Sequence, residues 1–314
     1  MSVTTNNTFQ VSVVIPVRNH PELLEKNLSS LASQDYKLKD LEVLVCDDGS
    51  TDDMGPVVES FRGILKIKLL RQHPKGPAAA RNLGIRMSIA PIIIFLDSDV
   101  VADQALISQL VTSLDKNPEW LGAEARVESI GRNKGPLWDA PTCHNGGRYH
   151  TAAIAYLRKA LVNVEGFDEI FKLPACEDAD LAARLLKLGD YGYVPEAVAY
   201  HPTRRVTLQT HWRWRRHWKY EMILAKRYGF LSFPGNPASP FPRLRVGLAA
   251  VVTLPAGRLI EGIEYVRYNP SDGVLACLYA LFDVFCGLWA LPSILFSSIP
   301  RRRNYLSTDK NVTL

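Results

Sequence analysis

The chain predicts an α/β fold, a mainly parallel sheet covered by helices on both faces, followed by a helical appendage. Three observations carry this. Short apolar runs alternate with helical stretches, the order that builds parallel sheets. Several of these runs stop abruptly at acidic turns, which places carboxylates at the strand ends where open α/β sheets bind ligands. After about residue 203 the pattern changes to arginine–tryptophan alternation, a Pro-rich stretch and long apolar runs.

The elements follow in order. Val11-Ser12-Val13-Val14-Ile15-Pro16 reads as a first strand. Pro21 then opens a helix with Leu23, Leu24, Asn27, Leu28 and Leu31 on one face. Leu41 to Cys46 is a second strand and stops at the turn-forming cluster Asp47-Asp48-Gly49-Ser50-Thr51-Asp52. A helix around 53–62 and a strand around 65–70 come next, then a helix from Gly76 to Met87 entered through Lys75-Gly76-Pro77. Pro91 to Leu96 is apolar throughout, as a strand buried on both faces should be, and ends in Asp97-Ser98-Asp99. Helix resumes near 103–115; 120–175 is rich in glycine and proline and reads as irregular; a helix at 178–188 and a strand near 191–200 lead to His201-Pro202. The crossovers are expected to be right-handed.

Bulk properties narrow the class. The 314 residues are 47% hydrophobic and 22% charged, ordinary for a folded protein, with a net charge of +5. Basic residues gather at 203–227, 243–267 and 301–303, which suits nucleic acid, anionic lipid or an anionic substrate. The five cysteines have neither paired nor metal-like spacing, as expected of buried thiols in a reducing compartment. The first ten residues are polar and show no secretory signal. No G-x-G-x-x-G follows the first strand, which speaks against a dinucleotide-dependent dehydrogenase.

Four groups of residues carry chemistry. Asp97 and Asp99 repel one another and are costly to desolvate unless something compensates them. A hard divalent cation touching phosphate does so, because Mg²⁺ and Mn²⁺ prefer carboxylate oxygen. Asp47 and Asp48 face the same crevice and can accept from a base N–H or a ribose hydroxyl, although the cluster is equally good turn chemistry. Arg81 sits one turn into its helix, within reach of a phosphate or an aspartate; taken locally, a solvent-exposed arginine is the simpler reading. Glu177, Asp178 and Asp180 open a helix, where the dipole stabilises carboxylates and keeps a general base ionised. His201, a strand-end histidine, is ordinary as a structural residue and acceptable as a ligand to Mn²⁺.

Taken in order, these stretches resemble family 2 glycosyltransferases: Val13-Val14-Ile15-Pro16-Val17-Arg18-Asn19, the Asp47–Asp52 turn, Gly76 to Ile85, Phe95-Leu96-Asp97-Ser98-Asp99, Gly166-Phe167-Asp168-Glu169 and Glu177 to Leu181. The resemblance spans about residues 10–202. It implies the GT-A fold, a Rossmann-like mixed sheet, and inverting transfer of a sugar from a nucleotide donor. By the same resemblance Asp48 binds the base, with Pro16 and Arg18 bordering it and Asp47 beside it. Arg81 lies near the first aspartates, Asp97 near ribose and metal, and Glu177 on the substrate side. Asp99 is the metal ligand, with Asp97 and His201 beside it, Mn²⁺ or Mg²⁺ is the cofactor, and Asp178 is the catalytic base. UDP is the default nucleotide on this ground alone. Processive members carry Gln-x-x-Arg-Trp; here Gln209 precedes Arg213-Trp214 by one residue too many, so single addition is expected.

Residues 274–299 are almost wholly apolar and exceed the roughly 20 residues that cross a bilayer core. Asp283 and Pro292 argue for an interruption or a protein-facing side. A single crossing would place Arg301-Arg302-Arg303 across from the catalytic domain, so a hairpin with 243–267 or a re-entrant pair is favoured. The 211–228 segment suits an interfacial helix with Trp214, Trp218, Met222 and Ala225 on one face.

The expected organisation is a disordered 1–10, a catalytic domain at 11–202 divided into a nucleotide half (11–100) and an acceptor half (101–202), and an Arg/Trp helix at 203–232. A Pro-rich linker at 233–242, a membrane-associated hairpin at 243–300 and a basic tail at 301–314 complete it. The expected partners are a nucleotide sugar, a hydroxyl acceptor on a lipid-linked or envelope glycan, and the cytoplasmic face of the cell membrane, with no nucleic acid. A nucleotidyltransferase or a membrane-tethered, non-catalytic sugar-nucleotide binder are the alternatives.

Overall fold

The computed structural model describes residues 9–131, 135–214, 216–228, 246 and 248–296. The expected disordered N-terminus (but for its last two residues), the Pro-rich linker and the Arg301-Arg302-Arg303 tail lie outside them. The chain divides into two compact units. The first holds residues up to 128 and 141–201, the second 129–140 and 202–301.

In the first unit, β1 (Val11–Val17), β2 (Leu41–Asp47), β3 (Lys66–Arg71) and β4 (Ile92–Leu96) form the parallel part of an eight-stranded sheet. β5 (Val101–Ala102), β6 (Trp120–Ile130), β8 (Ala153–Leu157) and β9 (Asp190–Pro202) extend it, in the order β3-β2-β1-β4-β8-β6-β9-β5, with β8 antiparallel to both β4 and β6. The stretch 120–175, expected to be irregular, therefore contributes two strands, β6 and β8. Local signals missed them because Gly122, Ala123, Ala125, Ala153 and Ala155, which carry little β-propensity, interrupt their larger apolar residues; pairing with one another and of β8 with β4, together with burial, decides the conformation.

Alternation along the strands divides the core into two layers. Val11, Val13, Ile15, Val43 and Val45 pack with α1 (Pro21–Ala32), α2 (Gly55–Phe61) and α4 (Leu106–Lys116). Val14, Leu44, Cys46, Ile93 and Phe95 pack with α3 (Pro77–Met87), α5 (Arg158–Asn163) and α6 (Glu177–Leu185) on the other face. Helix α3 lies very close to β1 because residue 84 is glycine: a Cβ there would stand 2.2 Å from Val14 Cγ1. β3, at the sheet edge, alternates exposed lysines with buried Ile67 and Leu70, whereas β2 and β4 are buried throughout.

The second unit pairs β7 (Trp138–Asp139) with β10 (Arg204–Arg205) and adds four helices among the described residues: α7 (Leu208–Trp214), α8 (Trp218–Tyr228), α9 (Leu254–Tyr265) and α10 (Pro270–Phe296). A π-helical turn, Ala249–Thr253, leads into α9. The Arg/Trp segment is thus two helices and not one. Asn269-Pro270, expected as a turn, starts α10: the Asn269 side chain accepts from the Asp272 amide and Pro270 occupies the first turn, roles that turn residues share with helix starts. α10 continues through Pro292. Helices α9 and α10 run antiparallel and close, with Gly262 against Cys277 and Gly287 against Ala250. Asp283 is turned inward, bonding His211 Nδ1 at 2.6 Å and pairing with Arg258, whose guanidinium lies 4.3 Å above the Trp214 ring.

Candidate active site

The site is assembled from strand ends. Asp97 follows β4, and its Oδ1 accepts from Arg81 Nη2 at 2.9 Å. Asp99 is buried, with Oδ2 3.5 Å from Nε2 of His201 near the end of β9. Ligand atoms of Asp97, Asp99 and His201 all lie within 4.8 Å of one another. Two carboxylates and an imidazole so placed fit a borderline-hard divalent cation.

Arg81 is buried, which corrects the locally simpler expectation of an exposed arginine. It reaches Asp97 with one nitrogen and Glu177 Oε1 with the other, both at 2.9 Å, and its guanidinium lies 5.7 Å from the Phe167 ring centre. A cation between two acids is compensated on both sides, which is what allows its burial. This fork ties the end of β4 to the start of α6, where Asp178 is the next residue after Glu177. Burial, helped by Asp178, pushes the Glu177 carboxyl up to about 7 against the opposing charge of Arg81. Burial also pushes Asp178 up to about 6, with Asp97 adding to the rise while the Ala179 amide and Arg81 oppose it. Desolvation thus outweighs the helix dipole that was expected to set the ionisation of this acid.

Asp47 and Asp48 close the other end of the site. Asp47 Oδ1 accepts from the Ser50 amide at 2.8 Å, so the turn is built on the acid itself. Asp48 accepts from the Lys75 amide at 2.7 Å, and from Gln72 Nε2 and the Gly76 amide at 2.8 Å each. Three of a carboxylate's roughly four acceptor positions are taken. Gly76 has a φ of 101°, and a Cβ there would meet the Lys172 carbonyl oxygen at 2.7 Å. Only glycine lets the Asp48-bound turn rest on that later segment. Pro16 is half-buried in β1 and Arg18 is exposed just beyond it. Asn19 links this edge to the turn, its Oδ1 accepting from the Thr51 amide at 2.8 Å and its own amide donating to Ser50 Oγ at 2.8 Å.

Three supporting residues were not singled out from sequence. Asn27 Nδ2 donates to the carbonyls of Asp97 at 3.1 Å and Val100 at 2.8 Å, bracketing Asp-Ser-Asp from α1. Its signal was visible, a polar residue on an otherwise apolar helix face. Glu124, buried in β6, accepts from the Gly147 amide at 2.7 Å and from the Tyr149 amide. It thereby shapes the loop that carries His150. Burial lowers the pKa of His150, partly offset by Glu124, and Asp97 and His201 also act on its charge. No spacing in the sequence points to this histidine.

A mixed, mainly parallel sheet with paired acids after one strand and a buried histidine beside them is the GT-A arrangement. Residues 12–160 match the family model Glycosyl transferase family 2. A validoxylamine A glucosyltransferase from Streptomyces hygroscopicus subsp. jinggangensis is 40% identical over 111 residues, covering 35% of this chain and 26% of that one. The chain spans no more than half the length of the first curated relatives it matches. Among solved structures, a Pyrobaculum calidifontis mannosyltransferase in complex with GDP-Man and Mn²⁺ superposes with a TM-score of 0.61 at 20% identity, covering 89% of this chain and 87% of that one. Staphylococcus aureus TarS (1–349) with UDP-GlcNAc gives 0.57 at 16% identity, covering 90% and 82%. Residues 12–160, just under half of the chain, form a glycosyltransferase family 2 domain, and the sheet has the GT-A fold.

Proposed function

We propose that the protein transfers a sugar from a nucleotide-sugar donor, a UDP-sugar by default, to a hydroxyl of a lipid-linked or envelope glycan, with inversion and in single additions. The observation that carries this reading is the Arg81 fork, which joins the Asp97/Asp99/His201 cluster to the helix start bearing Asp178. Asp97, Asp99 and His201 are the residues that would hold Mn²⁺ or Mg²⁺, with Asp99 as the principal ligand. Such a cation offsets charge on the departing diphosphate. Asp178 takes the proton of the acceptor hydroxyl as that oxygen bonds to the anomeric carbon. The bond from this carbon to the diphosphate oxygen breaks, and attack opposite the leaving group inverts the configuration. Asp48, Asp47, Pro16 and Arg18 border the base, and Arg81 and Glu177 keep Asp97 and Asp178 in register. Gln209 and Arg213-Trp214 fall on α7 without the processive spacing, in keeping with single addition.

The second unit is proposed to keep the enzyme at the cytoplasmic face of the membrane. In support, Pro270–Pro292 is long and apolar enough to cross a bilayer, with a mean hydropathy of 2.1. The deciding experiment is a thermal-shift and hydrolysis screen of nucleotide sugars with and without Mn²⁺. One donor is expected to stabilise the protein and turn over only with the metal. Equal stabilisation by all donors without it refutes the proposal.

A further inference from the structure

Helix α10 carries two opposed faces along its whole length. Val274, Leu278, Leu281, Phe285, Leu288 and Trp289 recur every three or four residues and are between 50% and 60% exposed. They form one stripe roughly 100° wide. Ala276, Ala280, Asp283, Cys286, Ala290 and Ile294 occupy the opposite side and are buried. α9 adds the exposed Ile260 and Ile263, while Glu261 and Glu264 line a cavity together with Arg258 and Trp214.

Charge accompanies α10 from end to end. Beside its first half stand the exposed Glu261 and Glu264, on the stretch of α9 where Gly262 meets Cys277. At its middle is the Arg258–Asp283–His211 cluster. Beside its second half is α7, whose Trp212 lies against Phe282 and Trp289 and is followed by the exposed Arg213. Twenty-seven residues extend roughly 40 Å, longer than the roughly 30 Å hydrocarbon core. Set upright, the helix would carry these acids and the arginine at hydrocarbon depth, where ionised side chains are strongly disfavoured. Laid flat, it places one stripe in lipid and leaves the Arg258–Asp283–His211 cluster on the side away from it. The exposed Arg213 on α7, Arg216 in the turn after it and Lys219 at the start of α8 complement anionic headgroups, and the Trp212–Trp289 pair suits the interfacial zone.

We infer that α10 and the apolar side of α9 lie in the plane of one leaflet of an anionic bilayer and do not cross it. This rests on the membrane reading above, and the test separates the two. The full chain with Ser307→Cys is prepared in inside-out vesicles from the expressing cells and on preformed phosphatidylcholine/phosphatidylglycerol vesicles. The introduced thiol is then reacted with an impermeant maleimide before and after detergent, the unsubstituted chain giving the background. The expected result is flotation with the vesicles and equal labelling in both conditions. Leu281→Glu should lower the vesicle-bound fraction at least about tenfold, while Glu261→Gln leaves it unchanged. Flotation with labelling only after detergent means the helix crosses, which overturns the in-plane placement and keeps the membrane reading. Failure to float overturns both and leaves the stripe to a second copy or to another segment of the chain.

Discussion

In the proposed mechanism Asp178 is the residue on which the chemistry turns. Asp178→Asn keeps the shape and removes the base, so transfer should fall about 10²–10⁴-fold with donor affinity unchanged, as read by steady-state rates and calorimetry. Near wild-type turnover would remove Asp178 from the role. Its raised carboxyl also gives a pH dependence of definite sign: the rate should fall as pH drops through the value at which Asp178 protonates. That is about 6 for the side chain alone, and lower with a divalent cation near Asp97. A profile flat to pH 4, or one that rises on acidification, contradicts the assignment. Asp99→Ala, in contrast, should lose donor and Mn²⁺ binding together; calorimetry showing normal affinity for both would exclude Asp99 as the metal ligand. Asp97, Asp99 and His201 were all legible as separate residues, and it is their mutual approach within 4.8 Å that makes a cluster of them. Arg81 was not legible locally, because nothing in Ala-Ala-Ala-Arg-Asn shows that two acids distant in sequence will enclose the guanidinium.

At the scale of elements, α1 and α3 act on the site from opposite faces of the sheet. Asn27 on α1 holds the carbonyls of Asp97 and Val100. Asn27→Ala leaves both without that donor, and a loosened Asp-Ser-Asp segment should weaken Mn²⁺ affinity about tenfold, as a residue supporting metal ligands does. Calorimetry with Mn²⁺ checks it; a loss of melting temperature with unchanged metal affinity would leave Asn27 a purely structural residue. Gly84 on α3 has no room for a side chain against Val14, so Gly84→Ala should cost about 1–3 kcal/mol, read as a lower denaturation midpoint. The long apolar strands β1, β2 and β4 could be read directly from composition. β6 and β8 could not, since their conformation comes from pairing with partners far along the chain.

For the molecule as a whole, the two raised carboxyls of α6 link stability to pH. The folded protein holds their protons more tightly than the unfolded chain does. Their contribution is therefore fullest below about pH 4 and is lost as pH rises through about 6 and 7. His150, whose pKa is lowered, acts in the opposite sense, its contribution fading as pH falls. The comparison that isolates α6 is wild type against Glu177→Gln. Between pH 5 and pH 8 the melting temperature of the variant should decline less than that of wild type, and equal declines would show that the charge on Glu177 is not costly.

The sequence by itself determined the strands with uninterrupted apolar runs, the acidic turns at their ends, and the family to which those turns belong. Each depends on residues adjacent in the chain, whose burial period and turn chemistry need no distant partner. Tertiary structure alone decided that Arg81 is buried between Asp97 and Glu177, that desolvation raises the carboxyls of Glu177 and Asp178, and that His211 and Arg258 are the partners of Asp283. These properties depend on the dielectric and the countercharges around a side chain, which elements remote in sequence supply only when they pack.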